Sequence, residues 1–155
     1  MRGLVLTISD RAAAGVDEDQ SGPALEQVRR EWLDDVVIRR AVVPDESRQI
    51  EAAMTEGLDC DVILTTGGTG LGPRDITPEV TERFCDRAVP GLAELLRMES
   101  LKETPHAALS RGTAGQRGIT LVVNLPGSVR GASFGARVLA PILPHAAKMM
   151  AGKGH

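Results

Sequence analysis

Residues 65–79 read TTGGTGLGPRDITPE, a glycine- and threonine-rich stretch that decides the fold of this chain. The apolar run Asp61–Leu64 before it predicts a short buried strand. Thr77-Pro78-Glu79 has the cap, the proline and the first-turn acid that are typical of a helix start. Residues 65–79 therefore join the end of a strand to a helix N-terminus, which is where open α/β sheets bind ligands. Because glycines allow φ > 0 and let backbone N–H groups face an anion, we expect a phosphorylated ligand here.

On both sides of this loop, the pattern of apolar residues predicts alternating strands and helices. Strands are predicted at Leu4–Ile8, Val36–Val43, Asp61–Leu64, Leu109–Thr113 and Ile119–Asn124, with a polar loop at Ala12–Gln20 and a turn at Gly115–Gly118. A first helix is predicted from Ser21, with Leu25, Val28, Trp32 and Leu33 on one face, and a second at Glu46–Gly57. A third is predicted from Thr77 to a break at Pro90-Gly91, and a fourth over Leu92–Leu101, ended by Pro105. The last is predicted over Ala132–Met150, with kinks at Pro141 and Pro144.

This alternation predicts a single α/β domain over residues 1–155, a three-layer α/β/α sandwich with a mostly parallel sheet. Arg39-Arg40 interrupts the second strand and indicates a partly exposed strand near a sheet edge. The carboxyl ends of parallel strands meet at one edge, so the loops at Ser9, Asp45, Gly67 and Asn124 should lie together there.

Composition excludes several classes of function. Of the 155 residues, 42% are hydrophobic, 25% charged and only 2% aromatic, and the net charge is −3. The core must be aliphatic, and neither a stacking platform for single strands nor a basic surface for duplexes is expected, so we predict no nucleic-acid partner. No apolar run approaches the ~20 residues of a membrane helix, and no N-terminal signal is apparent, which predicts a cytoplasmic protein without a membrane partner. Cys60 and Cys85 lack the spacing of metal ligands.

Two common phosphate-binding motifs do not match the glycine loop. A Walker A loop needs a lysine followed by Ser or Thr after its last glycine, whereas Pro73-Arg74 follows Gly72 here. In a dinucleotide fingerprint the last glycine would fall one residue later. The remaining alternatives are a plain tight turn without a ligand and a different kind of phosphate site, and the nearby arginine, aspartate and helix start favour the site.

Two aspartates are candidate catalytic residues and candidate metal ligands. Asp75 follows the glycine loop, and Asp45 follows the second predicted strand. Asp45 has a competing interpretation as the N-cap of the next helix, and Asp75 as a solvated loop acid. Together they lie on the same predicted edge, and Mg²⁺ is usually held by one or two carboxylates plus substrate phosphate oxygens. The sequence therefore predicts that Asp45 and Asp75 bind Mg²⁺.

Other loop residues are candidates for binding the ligand. Arg74 is placed to clamp a phosphate oxygen, and Pro126-Gly127 predicts a turn that presents Asn124. The full set of candidate ligand-binding residues is Ser9, Thr66, Gly67, Gly68, Thr69, Gly70, Arg74, Ser110, Asn124, Pro126, Gly127 and Ser128. Ser110 is a weak signal alone and belongs to the set because of the resemblance described next.

Taken in order, several segments of this chain are similar to those of molybdenum cofactor biosynthesis proteins. They are Ile8-Ser9-Asp10-Arg11, Pro44-Asp45-Glu46, Thr65–Gly70 with Arg74–Glu79, Pro90-Gly91, Leu109-Ser110-Arg111 and Asn124–Ser128. The chain thus resembles the molybdopterin adenylyltransferases, including proteins of the MogA and MoaB type and the G domain of gephyrin.

The resemblance implies a homotrimer that binds molybdopterin and ATP at the sheet edge and uses Mg²⁺. It implies that adenylyl-molybdopterin and pyrophosphate are the products, and that a second, molybdate-inserting enzyme acts next. By the same resemblance, Asp45 and Asp75 are the residues that matter for catalysis. Two alternatives stay open, a non-catalytic molybdopterin-binding or carrier module of the same family and an unrelated enzyme acting on phosphosugars or nucleotides.

Overall fold

The computed structural model describes residues 1–32 and 36–153, with residues 29–32 described by their backbone. The strands are β1 (Arg2–Ile8), β2 (Val37–Val43), β3 (Val62–Thr66), β4 (Arg87–Ala88), β5 (Ala114–Arg117) and β6 (Thr120–Leu125). The helices are α1 (Asp10–Ala13), α2 (Ser21–Trp32), α3 (Ser47–Glu56), α4 (Thr77–Phe84), α5 (Pro90–Leu101), α6 (Val129–Leu139) and α7 (Leu143–Met150), with a 3₁₀ helix at Pro105–Leu109.

The strands form one sheet in the order β2-β1-β3-β6-β5-β4. The first four strands in that order are parallel, and β5 and β4 extend the sheet in antiparallel fashion. The predicted three-layer, mostly parallel architecture is therefore confirmed. Strand β2 lies at an edge with several exposed residues, as its two arginines predicted.

Two hydrophobic clusters, one on each face of the sheet, form the core. Because side chains alternate along a strand, Val5 packs with α2 and α6 on one face while Leu4 and Leu6 pack with α3 and α4 on the other. The predicted helix face is confirmed for Leu25 and Val28, which are buried in the first cluster. The prediction for Leu33 lies outside the described residues, as does that for the side chain of Trp32.

Several predicted boundaries were wrong, and prolines account for three of them. Pro90 was expected to break a helix and Pro105 to end one, yet each stands at the start of a helical segment, where the missing N–H group costs nothing. The single last helix is in fact two: α6 ends just before Pro141, and Pro144 lies in the first turn of α7. The polar loop after β1 begins with a helical turn, α1, in place of a fully irregular segment.

The predicted turn at Gly115–Gly118 was also misplaced. Gly115 to Arg117 belong to β5, and the chain reverses at Gly118, whose φ is 57°. At position 115 a glycine is needed for close packing and not for a turn, because a Cβ atom there would lie 2.6 Å from the Cβ of Cys85. The sheet thus uses one of these glycines for close packing and the other for the turn.

None of the described helices is long and apolar enough to cross a membrane.

Candidate active site

The carboxyl ends of the parallel strands β1, β2, β3 and β6 meet at one edge of the sheet, where a cleft of ≈ 620 Å³ opens. Eight of the predicted site residues line this cleft, namely Ser9, Asp45, Thr66, Gly67, Gly68, Asp75, Gly127 and Ser128. The grouping follows from the parallel pairing, because each of these residues lies at or after the end of a strand.

A second cleft of ≈ 440 Å³ lies on the other side of the glycine loop. Of the predicted site residues, Thr69, Gly70, Ser110, Pro126 and Ser128 line it, together with His106, Arg130 and Phe134. The structure thus divides the predicted residues between two clefts that share the wall formed by Ser128. Two predicted residues, Arg74 and Asn124, line neither of these two clefts.

The backbone at the tip of β3 adopts conformations that only glycine tolerates well. Gly67 has φ 106° and Gly68 has φ 66°. A Cβ atom on Gly67 would collide with the carbonyl oxygen of Ile8, and one on Gly68 would collide with the hydroxyl of Thr77 and lie 3.1 Å from Asp45 Oδ1. The loop can therefore approach β1 and Asp45 this closely because it has no side chains at these positions.

The loop presents a row of unpaired backbone donors. The N–H group of Gly67 donates to the carbonyl of Leu125, so it is not free for a phosphate as expected. The next three N–H groups, those of Gly68, Thr69 and Gly70, have no hydrogen-bond partner among the described residues. Successive free N–H groups in a loop form a concave anion site, and this one lies where the two clefts meet.

Asp45 does not cap helix α3. The cap position belongs to Glu46, which makes no side-chain capping bond, so the N-cap interpretation of Asp45 was wrong. Instead, Asp45 exchanges two hydrogen bonds with Asp10: Asp10 N donates to Asp45 Oδ2 at 3.0 Å, and Asp45 N donates to Asp10 Oδ1 at 3.0 Å. This pairing joins the ends of β1 and β2 and leaves the Asp45 side chain in the larger cleft.

The surroundings of Asp45 disfavour the charged form of its carboxyl group. Burial raises the pKa of Asp45 above its usual value, and the negative charges of Asp10 and Asp75 act in the same direction. The hydrogen bond from Asp10 and the charge of Arg74 partly oppose this rise in the pKa. A bound cation would relieve the repulsion among these carboxylates.

Asp75 is half-buried and folds back onto its own loop, where its Oδ2 accepts a hydrogen bond from Gly72 N at 2.9 Å. The described residues contain no group of three or more His, Cys, Asp or Glu side chains arranged to hold a metal ion. Two carboxylates in one cleft nevertheless suit Mg²⁺, provided that a substrate supplies further oxygen ligands.

Arg74 is engaged by the protein itself. Its Nε donates to Asp10 Oδ2 at 3.0 Å and its terminal nitrogen donates to Asp10 Oδ1 at 2.9 Å, a bidentate pair. This arginine lowers the pKa of Asp10, with a further contribution from the Asp45 N–H group. A phosphate clamp by Arg74 stays a prediction that would require this exposed pair to open.

Asn124 lies in strand β6 and is 3% exposed, so it is not presented by the turn as the sequence predicted. Its amide nitrogen donates to Thr65 Oγ1 at 3.0 Å and Thr81 Oγ1 at 2.9 Å, and its Oδ1 accepts from Thr113 N at 3.2 Å. Both amide hydrogens are therefore used inside the protein. Asn124 therefore joins β6 to α4 and to β3, the strand from which the glycine loop leaves.

Several predicted hydroxyl groups shape the walls of the clefts. Ser9 Oγ caps α1 by accepting from Ala12 N, and Ser128 Oγ caps α6 by accepting from Gly131 N. Thr66 Oγ1 donates to Pro126 O at 2.7 Å and so ties the end of β3 to the loop after β6. The Ser110 hydroxyl accepts a 3.3 Å bond from Gly112 N in the second cleft.

The sequence did not predict a role for Arg111, which holds the whole glycine loop in place. Its backbone N–H donates to Thr69 O at 2.9 Å, and its guanidinium donates to Gly70 O at 2.8 Å and to Asp75 O at 2.6 Å. A third guanidinium nitrogen pairs with Glu79. Arg111 entered the sequence analysis only as part of the segment Leu109-Ser110-Arg111, in which Ser110 was chosen as the candidate ligand-binding residue.

Comparison with known proteins agrees with this architecture. A family model described as "Probable molybdopterin binding domain" matches residues 4–145. The chain is 41% identical to a molybdopterin adenylyltransferase of Helicobacter pylori over 152 residues, which cover 96% of this chain and 86% of that protein. It is 43% identical over 133 residues to the molybdopterin adenylyltransferase of Escherichia coli K12, covering 81% and 66% of the two chains.

A solved structure gives the same picture. The molybdopterin biosynthesis enzyme MoaB of Thermus thermophilus superposes with a TM-score of 0.88 at 45% identity, covering 98% of this chain and 97% of the other. Sequence and structure agree over nearly the whole length of the chain. The chain therefore belongs to the family of probable molybdopterin binding domains.

Proposed function

We propose that this protein is a molybdopterin adenylyltransferase, which transfers the adenylyl group of ATP to the terminal phosphate of molybdopterin and releases pyrophosphate. The observation that carries the proposal is the row of free N–H groups at Gly68, Thr69 and Gly70 beside the carboxylates Asp45 and Asp75. This combination suits a phosphate group that reacts in the presence of a divalent cation. The names of the relatives in Helicobacter pylori and Escherichia coli support the same reaction.

The two clefts support a reaction between two substrates. We place the triphosphate in the larger cleft, where Asp45 and Asp75 lie, and the pterin in the smaller cleft, beside Ser110 and Phe134. The free N–H groups of residues 68–70 lie between the two clefts, so phosphate groups from both substrates meet at the same loop.

The chemistry then rests on positioning. The attacking phosphate of molybdopterin is already an anion, so the protein needs no general base to activate it. Its oxygen attacks the α-phosphorus of ATP as the bond to the leaving pyrophosphate breaks. The fixed N–H groups of Gly68, Thr69 and Gly70 hold phosphate oxygens without having to reorganise. Asp45 and Asp75 would hold Mg²⁺ with oxygens of the nucleotide, and the bound ion would neutralise charge on the triphosphate.

Pyrophosphate release tests the proposed function. Purified protein is incubated with ATP and Mg²⁺, with and without molybdopterin, and pyrophosphate is measured by a coupled assay. We expect release only when molybdopterin is present. Tight molybdopterin binding without release would identify a carrier module, and binding of neither substrate would contradict both functions.

We expect Asp45→Ala to separate catalysis from stability. The substitution removes one carboxylate from the cleft and one hydrogen bond to Asp10 N, which is worth about 1 kcal/mol and a Tm shift of about 2–4 °C. Turnover should fall by about 10²-fold or more, because one of the two carboxylates that would hold Mg²⁺ beside the triphosphate is lost. The measurements are pyrophosphate release and thermal unfolding.

Glu46→Ala is the matched control, since it changes the neighbouring acid at the cap position of α3, which makes no capping bond. It should leave turnover and Tm nearly unchanged. Normal turnover by the Asp45 variant would contradict the catalytic role.

We also propose that the protein is a homotrimer in the cytoplasm and that a molybdate-inserting enzyme consumes its product. Apolar side chains exposed on α5 and the following 3₁₀ helix, those of Met98, Leu101 and Leu109, are a candidate surface for assembly. Analytical ultracentrifugation would measure the mass of the assembly.

The assignment of residues 1–155 to one domain stays a prediction.

A further inference from the structure

The end of the larger cleft that lies between β1 and α2 contains two oxygen-bearing groups that the proposed reaction does not use. One is the hydroxyl of Thr7, near the carboxyl end of β1, and the other is the carboxylate of Asp19, two residues before α2. Both residues line the cleft, and neither belongs to the glycine loop.

The Thr7 hydroxyl lacks a partner. Thr7 is 6% exposed, and within the part of the chain that the structure describes, only Thr7 and Thr77 have a buried side-chain oxygen without a hydrogen bond. Leaving a buried hydroxyl unpaired is unfavourable, because the group has lost its hydrogen bonds to water. A ligand in the cleft that Thr7 lines would supply the missing partner.

Asp19 offers a second free oxygen beside it. Its Oδ1 accepts from Gly22 N at 3.0 Å at the start of the helix α2, whereas no donor among the described residues reaches Oδ2. Gly22 has no side chain, and a Cβ atom there would collide with Asp19 Oδ2 and lie 3.4 Å from Thr7 Oγ1. The two oxygens therefore both lie beside Gly22 at the start of α2, and both residues line the larger cleft.

The charge of this end argues against a second phosphate. Asp17, Glu18 and Asp19 all line it, and no lysine or arginine among the described side chains does. A carboxylate oxygen and a hydroxyl instead complement a neutral group whose hydroxyls both donate and accept. Vicinal hydroxyls of a sugar are such a group, and carboxylates bind ribose in this way in dinucleotide-binding folds.

The position along the sheet favours the sugar over the base. Thr7 is the register partner of Thr66, the residue immediately before Gly67, and neighbouring strands lie about 4.7–4.9 Å apart. A group bound at Thr7 thus lies one strand away from the phosphate loop. In a nucleotide, the sugar is the group directly joined to the α-phosphate.

We propose that Thr7 and Asp19 bind the ribose hydroxyls of the nucleotide, so that the site selects ribonucleotides over deoxyribonucleotides. This inference rests on the proposed function, because it assumes that ATP occupies the larger cleft with its phosphates at the glycine loop.

Calorimetric titration with ATP, 2′-deoxy-ATP and 3′-deoxy-ATP in the presence of Mg²⁺ tests the inference. We expect the unmodified protein to bind ATP about tenfold or more tightly than at least one deoxy analogue, since the analogue leaves a polar group of the site unpaired. Thr7→Val and Asp19→Asn should weaken ATP binding by a similar factor and bind ATP and that analogue equally. Asn at position 19 can still accept from Gly22 N, so the start of α2 is retained.

Asp17→Asn is the control, since it removes a charge from the same rim but from a side chain that is paired with Arg11. It should keep the preference for ATP. Equal binding of ATP and both deoxy analogues by the unmodified protein would overturn the inference alone and leave the proposed function standing. If ATP itself does not bind, the proposed function fails and the inference fails with it.

Discussion

Replacing Asp75 by asparagine is expected to reduce adenylation by about 10²–10³-fold and to leave the fold intact. Asparagine can still accept the hydrogen bond from Gly72 N, so the loop keeps its shape. What the variant loses is a negative charge in the larger cleft, beside Asp45 and the glycine loop. Pyrophosphate release at saturating ATP and molybdopterin measures the effect, and circular dichroism checks the fold.

Asp17→Asn again provides the comparison, because it takes the same charge from the same cleft at a position paired with Arg11. Its turnover should stay within roughly twofold of the unmodified protein, as exposed ion pairs contribute little. If Asp75→Asn behaves like Asp17→Asn, Asp75 has no catalytic role and acts only on the loop.

The second large effect is expected for Gly67→Ala. At φ 106° an alanine is strained by about 1–3 kcal/mol, and its Cβ atom would collide with the backbone of Ile8, which adds about 1–3 kcal/mol more. The loop must then move away from β1, and a displacement of about 1 Å is enough to lower turnover by about 10²-fold. Urea unfolding measures the loss of stability and pyrophosphate release the loss of activity.

Gly15→Ala distinguishes the collision from the backbone strain. Gly15 has φ 71°, and a Cβ atom there would meet nothing within 4 Å. Its substitution should cost only the conformational part, about 1–2 kcal/mol, and should not change turnover. Equal losses of stability at the two positions would mean that the close approach to Ile8 is unimportant.

Much of the fold could be predicted because the core strands are short and strongly apolar. Residues 62–64 and 121–123 lie in the two central strands and are buried on both faces, so this part of the sequence is apolar without alternation. The errors arose where one residue type serves two purposes. A proline can begin a helix or break one, and Pro90 begins α5. A glycine can serve a turn or a close contact, and Gly115 packs closely against Cys85.

The site was predicted in part for a similar reason. Strand ends are visible in the sequence, so the convergence of Ser9, Asp45 and Gly67 at one edge followed from parallel pairing alone. Contacts between residues that are far apart along the chain cannot be read from the sequence. Asn124 donates to Thr65 and Thr81, and Arg111 donates to Thr69. No local pattern in the sequence marks either set of partners.

The contacts of Arg111 have a kinetic consequence. This one side chain and its backbone fix the carbonyls of Thr69, Gly70 and Asp75 through contacts within the protein, so the fold itself orders the row of N–H groups at residues 68–70. The conformational entropy of the loop is lost during folding, and substrate binding does not have to order it again. Nucleotide association should therefore follow a single phase whose rate rises linearly with concentration, without the plateau of a slow closing step.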